Sequence, residues 1–283
     1  MIGKTAVVID SAAYLPESLI EQYGLLVAPL SVEIDGEQFL EGLDITADEF
    51  YGRVGSAKSV STSQPAPGRF VELYRQAAKE GAEEIVSIHI GSSISGTVQS
   101  ATLASESSPV PVRVIDTGQA SFAEGLCVWE AIDALVEGKS VAGMTERVQA
   151  ASKGVGNTFV VRALDLAKRG GRLASGEEAP PGIPVMALTG GGMKVLGSAT
   201  TVDEAVEAMA GHVGAAARDA GSRKLRVGVG HGAAPEIAAA LRSRIEGMEG
   251  IEEIVEYVVG PVIGAHTSAG TAGAVFLARP VLL

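Results

Sequence analysis

The chain has 283 residues and a formal net charge of −12, from 34 Asp and Glu against 22 Lys and Arg. That field repels nucleic acid and anionic membrane surfaces, and 4% aromatic residues leave few platforms for base stacking, so neither nucleic acid nor a stably penetrated membrane is an expected partner. With 46% hydrophobic and 20% charged residues the composition is globular; no apolar run approaches the ~20 residues of a bilayer span, and the single Cys127 excludes a disulfide framework.

The opening MIGKTAVVID runs into a strand without a charged-then-apolar leader, which with the cysteine count predicts a cytoplasmic protein. PESLIEQYG has Pro at a helix start and Gly at its end, and LLVAPLSVEIDGEQF reads as strand segments around an Asp35-Gly36 turn. Thr46 with Glu49 three residues later marks a capping box. SVSTSQPAPG reads as a polar loop feeding the helix RFVELYRQAAKEG. EEIVSIHI is then a strand, SGTVQSATLAS a helix, VPVRVID a strand, and FAEGLCVWEAIDALVEG a helix in which Cys127 is a buried small hydrophobe. Strands alternating with helices of this length imply βαβ units and a mainly parallel sheet.

After about residue 155 the rhythm changes. NTFVVRALDLAKRGG reads as a strand and a basic helix, PPGIPVMALTGGGMKVLG as a hairpin, TVDEAVEAMAGHVGAAARDAG as a helix, and KLRVGVG as a strand before APEIAAALRSRIEGM. IEEIVEYVVGPVIGAHTSAGTAGAVFLA ends the chain as strand runs around a polar turn. The predicted fold is two-lobed α/β: an N-terminal βαβ lobe over 1–155, a C-terminal α+β lobe over 156–283, and a ligand site between them.

Three hydroxyl-rich loops stand out: STSQPAPG (61–68), SSISGT (92–97) and AHTSAG (265–270). At a strand-to-helix junction, hydroxyls and backbone amides converge on an anion. No Lys follows the glycine of the second loop, as a phosphate loop requires, and Ser95 lacks the flanking glycines of a nucleophile elbow. Gly228 to Ala234 fits a loose dinucleotide fingerprint, but lies near the chain's end, where tight strand-to-helix packing accounts better for its glycines. His89 and His212 fall inside a strand and a helix, His231 follows a strand, and no pair has metal-ligand spacing, so neither metal nor cofactor is expected. Ordinary helix capping by Ser92 or Ser93 is the simplest reading of the second loop taken alone.

The segments IDSAAYLP, TSQPAPGRF, SSISGTVQSA, AKRGGRLASG and AHTSAGTAG, in that order over nearly the whole chain, resemble the DegV family, bacterial fatty-acid-binding subunits of fatty acid kinase. The resemblance implies one long-chain fatty acid in a tunnel between two lobes. It implies that Thr62, Ser95 and His266 hold the carboxylate, with Ser63, Ser92 and Thr267 beside them. It also implies a fatty acid kinase partner, and there the chain departs from the pattern: Thr200 stands where kinase-partner members carry Arg. The competing expectation is a serine hydrolase using Ser95, His266 and an acid such as Asp10 or Asp116.

Overall fold

The computed structural model describes residues 1–161, 181–189 and 192–279. The basic helix expected near Gly170-Gly171, and with it the AKRGGRLASG segment, lies outside the described residues. The chain divides into two compact units, Met1–Ile45 with Lys58–Lys153, and Thr46–Ala57 with Gly154–Leu283.

The first unit is built on four parallel strands in the order β2-β1-β6-β7: β1 (Thr5–Asp10), β2 (Leu26–Ala28), β6 (Glu84–His89) and β7 (Val112–Asp116). β1 and β6 are buried on both faces, as their β-branched runs require, because helices cover the sheet. Helix α1 is Glu17–Tyr23, α3 is Pro67–Lys79, α4 is Thr97–Ser105, α5 is Phe122–Val136 and α6 is Val141–Gly154. On one face Phe70 and Tyr74 of α3 and Ala101 of α4 pack against Val8 and Ile85. Nearly every residue of α5 is buried, so it is enclosed on all sides.

A three-stranded antiparallel sheet, β4-β3-β5, completes this unit: β3 (Ser31–Ile34), β4 (Glu37–Leu40) and β5 (Val60–Ser63). β3 and β4 meet at the Asp35-Gly36 turn, as expected. Where the sequence predicts a loop, β5 is a strand. Its polar VSTS becomes a strand through pairing with β3, with Thr62 opposite Val32, so a tertiary partner overrides a weak local signal.

The second unit holds a six-stranded mixed sheet, order β10-β9-β8-β13-β11-β12. Its strands are β8 (Gly156–Val160), β9 (Ile183–Thr189), β10 (Gly192–Ala199), β11 (Leu225–Gly232), β12 (Ile251–Val258) and β13 (Thr271–Ala278). β9 and β10 form the expected antiparallel hairpin, and only β11 and β12 run parallel among the described strands of this sheet. Helices α7 (Val202–Asp219) and α8 (Pro235–Ile245) cover one face, α7 through the stripe Ala205, Val206, Met209, Ala210 and Val213. Helix α2 (Ala47–Val54), opened by the Thr46–Glu49 capping box, belongs to this unit. The expected polar turn at 259–270 is instead a short helix, α9 (Pro261–Thr267), with Pro261 at its first position. Among the described residues no helix is long and apolar enough to cross a membrane.

Candidate functional site

In the strand order β2-β1-β6-β7 the chain leaves β1 toward β2 on one side and later returns to β6 on the other. The carboxyl ends of β1 and β6 therefore flank a topological switch point, where open α/β sheets leave a crevice for ligands. β1 ends at Asp10, and β6 ends at His89, directly before the loop 90–97 that carries Ser92 and Ser95.

The loop is fastened from several directions. Ile90 N donates to Asp10 Oδ2 at 3.0 Å, Gly91 N to the Gln119 carbonyl at 2.7 Å, and Ile94 N and Ser95 N both to the Gly91 carbonyl. Ser92 does not cap the helix: its amide and hydroxyl both donate to Asp116, at 3.1 and 2.5 Å. The N-cap of α4 is Gly96, with no side-chain cap, which corrects the expectation of capping by Ser92 or Ser93. Ser95 Oγ lies 2.9 Å from Thr97 Oγ1 and close to Thr97 N, so it stands at the helix entrance, where first-turn amides lack intrahelical partners.

The two N-terminal hydroxyl segments meet here. A Cβ placed on Gly96 would lie 2.6 Å from Gln64 Nε2 and 2.8 Å from its Cδ. The amide of Gln64, just past β5, therefore rests on the backbone that opens α4, in the space a side chain at Gly96 would take. Alternation along β5 turns Thr62 to the half-buried face with Val60, and Ser61 and Ser63 to the exposed one. Gln64 was not singled out from the sequence; the signal available was its place in TSQP, one residue beyond the hydroxyls.

Beneath the loop runs a buried polar chain. Tyr74 Oη donates to Ser87 Oγ at 2.8 Å, Ser87 Oγ is 2.6 Å from His89 Nε2, and His89 Nδ1 is 3.1 Å from Asp10 Oδ2. Burial pushes the Tyr74 phenol up to about 12, against the hydrogen bond to Ser87. This is a Ser–His–Asp arrangement, and it is sealed: Ser87 and His89 are 0% exposed and Asp10 1%. It shares Asp10 with the hydrolase expectation but has Ser87 and His89 in place of Ser95 and His266. Asp10 is engaged by His89 of its own unit, and Asp116 holds Ser92. The chain fixes β6 to β1 and presents no nucleophile to solvent.

In the second unit His266 sits in the last turn of α9, half-buried. Thr267 is buried, and its hydroxyl proton is given to the Ile263 carbonyl at 3.2 Å. α9 packs on α2 so closely that a Cβ on Gly264 would meet Tyr51 Oη at 2.6 Å. The glycines of the loose fingerprint have a similar explanation, since Cβ atoms on Gly230 and Gly232 would strike the rings of Tyr257 and Tyr51. Thr200 precedes α7, where its amide and hydroxyl both donate to Glu204 Oε2. Among the described residues no cluster of His, Cys, Asp and Glu has metal-binding geometry.

Fold and site together define a class: a two-unit α/β protein whose first unit gathers hydroxyls, an amide side chain and a helix entrance at the carboxyl edge of a parallel sheet. The family model described as "Uncharacterised protein, DegV family" matches residues 4–279. A DegV domain-containing protein of Streptomyces coelicolor is 34% identical over 284 residues, 99% of this chain and 100% of that one. This chain belongs to the DegV family. Among solved structures, a DegV family protein from Thermus thermophilus described by its fatty acid binding superposes with a TM-score of 0.89 at 32% identity, covering 98% of this chain and 100% of that one. DegV from Bacillus subtilis, described as a fatty acid binding protein, gives 0.87 at 26%, covering 98% and 99%.

Proposed function

We propose that the protein binds one long-chain fatty acid as a non-enzymatic carrier, with Thr62 and Ser95 donating to its carboxylate and the acyl chain in an apolar tunnel between the two lobes. His266 adds a further donor. The observation that carries this reading is the seating of Gln64 on Gly96, which joins the Thr62 segment to the Ser95 loop at the switch point. The relatives described as fatty acid binding proteins support the choice of ligand.

The chemistry agrees. A buried carboxylate without donors loses its hydration uncompensated, and hydroxyls at a helix entrance supply charge-assisted hydrogen bonds without a buried counter-charge. Some 14 methylenes contribute about 11 kcal/mol before association costs. Ser92, whose proton is given to Asp116, and Thr267, whose proton is given to Ile263, serve the site by shaping its walls. Ser63 lies at its rim. For a fatty acid kinase partner, Thr200 offers a hydroxyl already held by Glu204 in place of a guanidinium, so any such contact runs through other residues.

Native mass spectrometry of protein purified from bacterial cells without added lipid tests the reading. About one long-chain fatty acid per chain is expected, released on denaturation. Thr62→Ala and Ser95→Ala should each weaken binding by about 1–3 kcal/mol by leaving the carboxylate short of a donor. Bare chain alone in fresh preparations, or unchanged affinity in both single variants and the double variant, sinks it.

A further inference from the structure

Helix α5 carries Glu124 into the interior at 0% exposure, and neither of its carboxyl oxygens receives a hydrogen bond. No cation faces it. Its neighbours are the Asp10 carboxyl at the end of β1, the Glu41 carboxyl after β4, the Ile90 amide, and the Cys127 thiol on its own helix. The Ile90 amide is already given to Asp10, and Glu41 is taken by the hydroxyls of Ser11 and Tyr14. His89 reaches the group only through Asp10.

Asp10 shows what is missing. Its Oδ2 accepts from His89 Nδ1 and Ile90 N, and its Oδ1 accepts from Ala12 N. A carboxylate has about four acceptor positions, so one on Oδ1 stays open. Two carboxyl groups in contact cannot both ionise in an apolar interior; one keeps its proton and donates it to the other. α5 is pressed against the turn after Asp10, since a Cβ on Gly125 would lie 2.3 Å from the Ala13 carbonyl, which holds the backbone carrying Glu124 against the end of β1.

We propose that Glu124 is a proton-carrying positioning residue: its carboxyl O–H donates to the Asp10 carboxylate and thereby holds in place the acceptor that fastens Ile90 and the loop bearing Ser92 and Ser95. Burial first, then the Asp10 and Glu41 carboxylates, keep the Glu124 carboxyl well above the ordinary carboxylate range, consistent with a retained proton. The effect on ligand rests on the fatty-acid reading of that loop; the shared proton does not.

The sign of the pH dependence follows. The folded chain holds a proton that the unfolded chain releases above 4.5, so Glu124 makes stability fall as pH rises from there toward its folded value. Glu124→Gln keeps a donor for Asp10 and removes the titration. The ratio of unfolding constants, wild type over Glu124→Gln, should rise by about tenfold per pH unit in that window; parallel profiles overturn the proposal. Infrared spectra of the wild-type protein in H2O and D2O at neutral pH should contain a buried protonated-carboxyl stretch that Glu124→Gln lacks, and its absence from the wild type also overturns it.

Palmitic acid titration supplies the ligand arm. Glu124→Gln should bind like the wild type, and Glu124→Leu, which leaves Asp10 a position short, about tenfold more weakly. Wild-type affinity in a folded Glu124→Leu protein overturns the positioning role. If the wild type itself takes up no palmitate, the fatty-acid reading falls, and the infrared and stability profiles still decide the shared proton.

Discussion

Glu124 and Glu130 lie on the same helix, are the same residue type and are equally buried, yet the interior treats them in opposite ways. Glu130 meets the guanidinium of Arg147, whose Nε donates to it at 2.6 Å while Nη1 grips Glu137 at 2.7 and 2.8 Å. Among the described residues, the charged groups that Glu124 meets are the acids Asp10 and Glu41. An acid beside a cation is an anchor between helices, α5 to α6, and sits far along the helix from the loop. An acid beside an acid stores a proton, and this one lies at the carboxyl end of β1, beside the switch point of the sheet. The difference separates charge used for architecture from charge placed at a site.

The largest effect should come from removing the cation. Arg147→Met takes away the guanidinium that buried Glu130 accepts from and should destabilise the protein by about 3–5 kcal/mol in urea unfolding. Adding Glu130→Gln should restore much of that loss, because the expense lies in the stranded charge rather than in the missing bridge. If Arg147→Met unfolds like the wild type, the contrast between the two glutamates collapses.

A smaller effect is expected within the sealed chain. Ser87→Ala leaves Tyr74 Oη with the Ala101 carbonyl alone and takes from His89 Nε2 its partner, at about 1–3 kcal/mol for a buried group left unsatisfied. Thermal unfolding measures it, and an unchanged midpoint would show that these groups find other partners. The smallest expected effect is none. A fluorophosphonate probe should leave Ser87 unlabelled because it is inaccessible, and Ser95 unlabelled because the structure pairs it with Thr97 rather than with a base. Labelling of either serine revives the hydrolase reading.

Much of this was legible in the residues. The strand–helix rhythm, the capping box at Thr46, the Asp35-Gly36 hairpin and the polar loop between β6 and α4 are local patterns, and local chemistry decides them. β5 was not legible, because Ser-Thr-Ser has little strand preference until β3 offers it a ladder. Nor was α9, seven residues long, where Pro261 was the only local cue. Glu124 carried a faint signal, a charge inside the otherwise apolar FAEGLCVW; its partner, 114 positions earlier at Asp10, is a fact of packing. Thr62 and Ser95 were reached through resemblance, while Gln64, which joins their segments, needed the fold.

The membership of α2 in the second unit bears on how the chain is made. Tyr51 donates its hydroxyl to the Val259 carbonyl, a partner 208 positions further on. Phe50 and Tyr51 also cover Gly264, and Tyr51 covers Gly232. At a synthesis rate of roughly 5–20 residues per second, α2 leaves the ribosome some ~10–40 s before the surface it covers exists. Meanwhile Phe50, fully buried in the finished protein, has no native place to go. The nascent chain thus carries Tyr51 without Gly232, Val259 and Gly264, which it meets in the finished protein, through most of its translation. Severing the chain after Lys153 would leave that helix stranded on the wrong fragment.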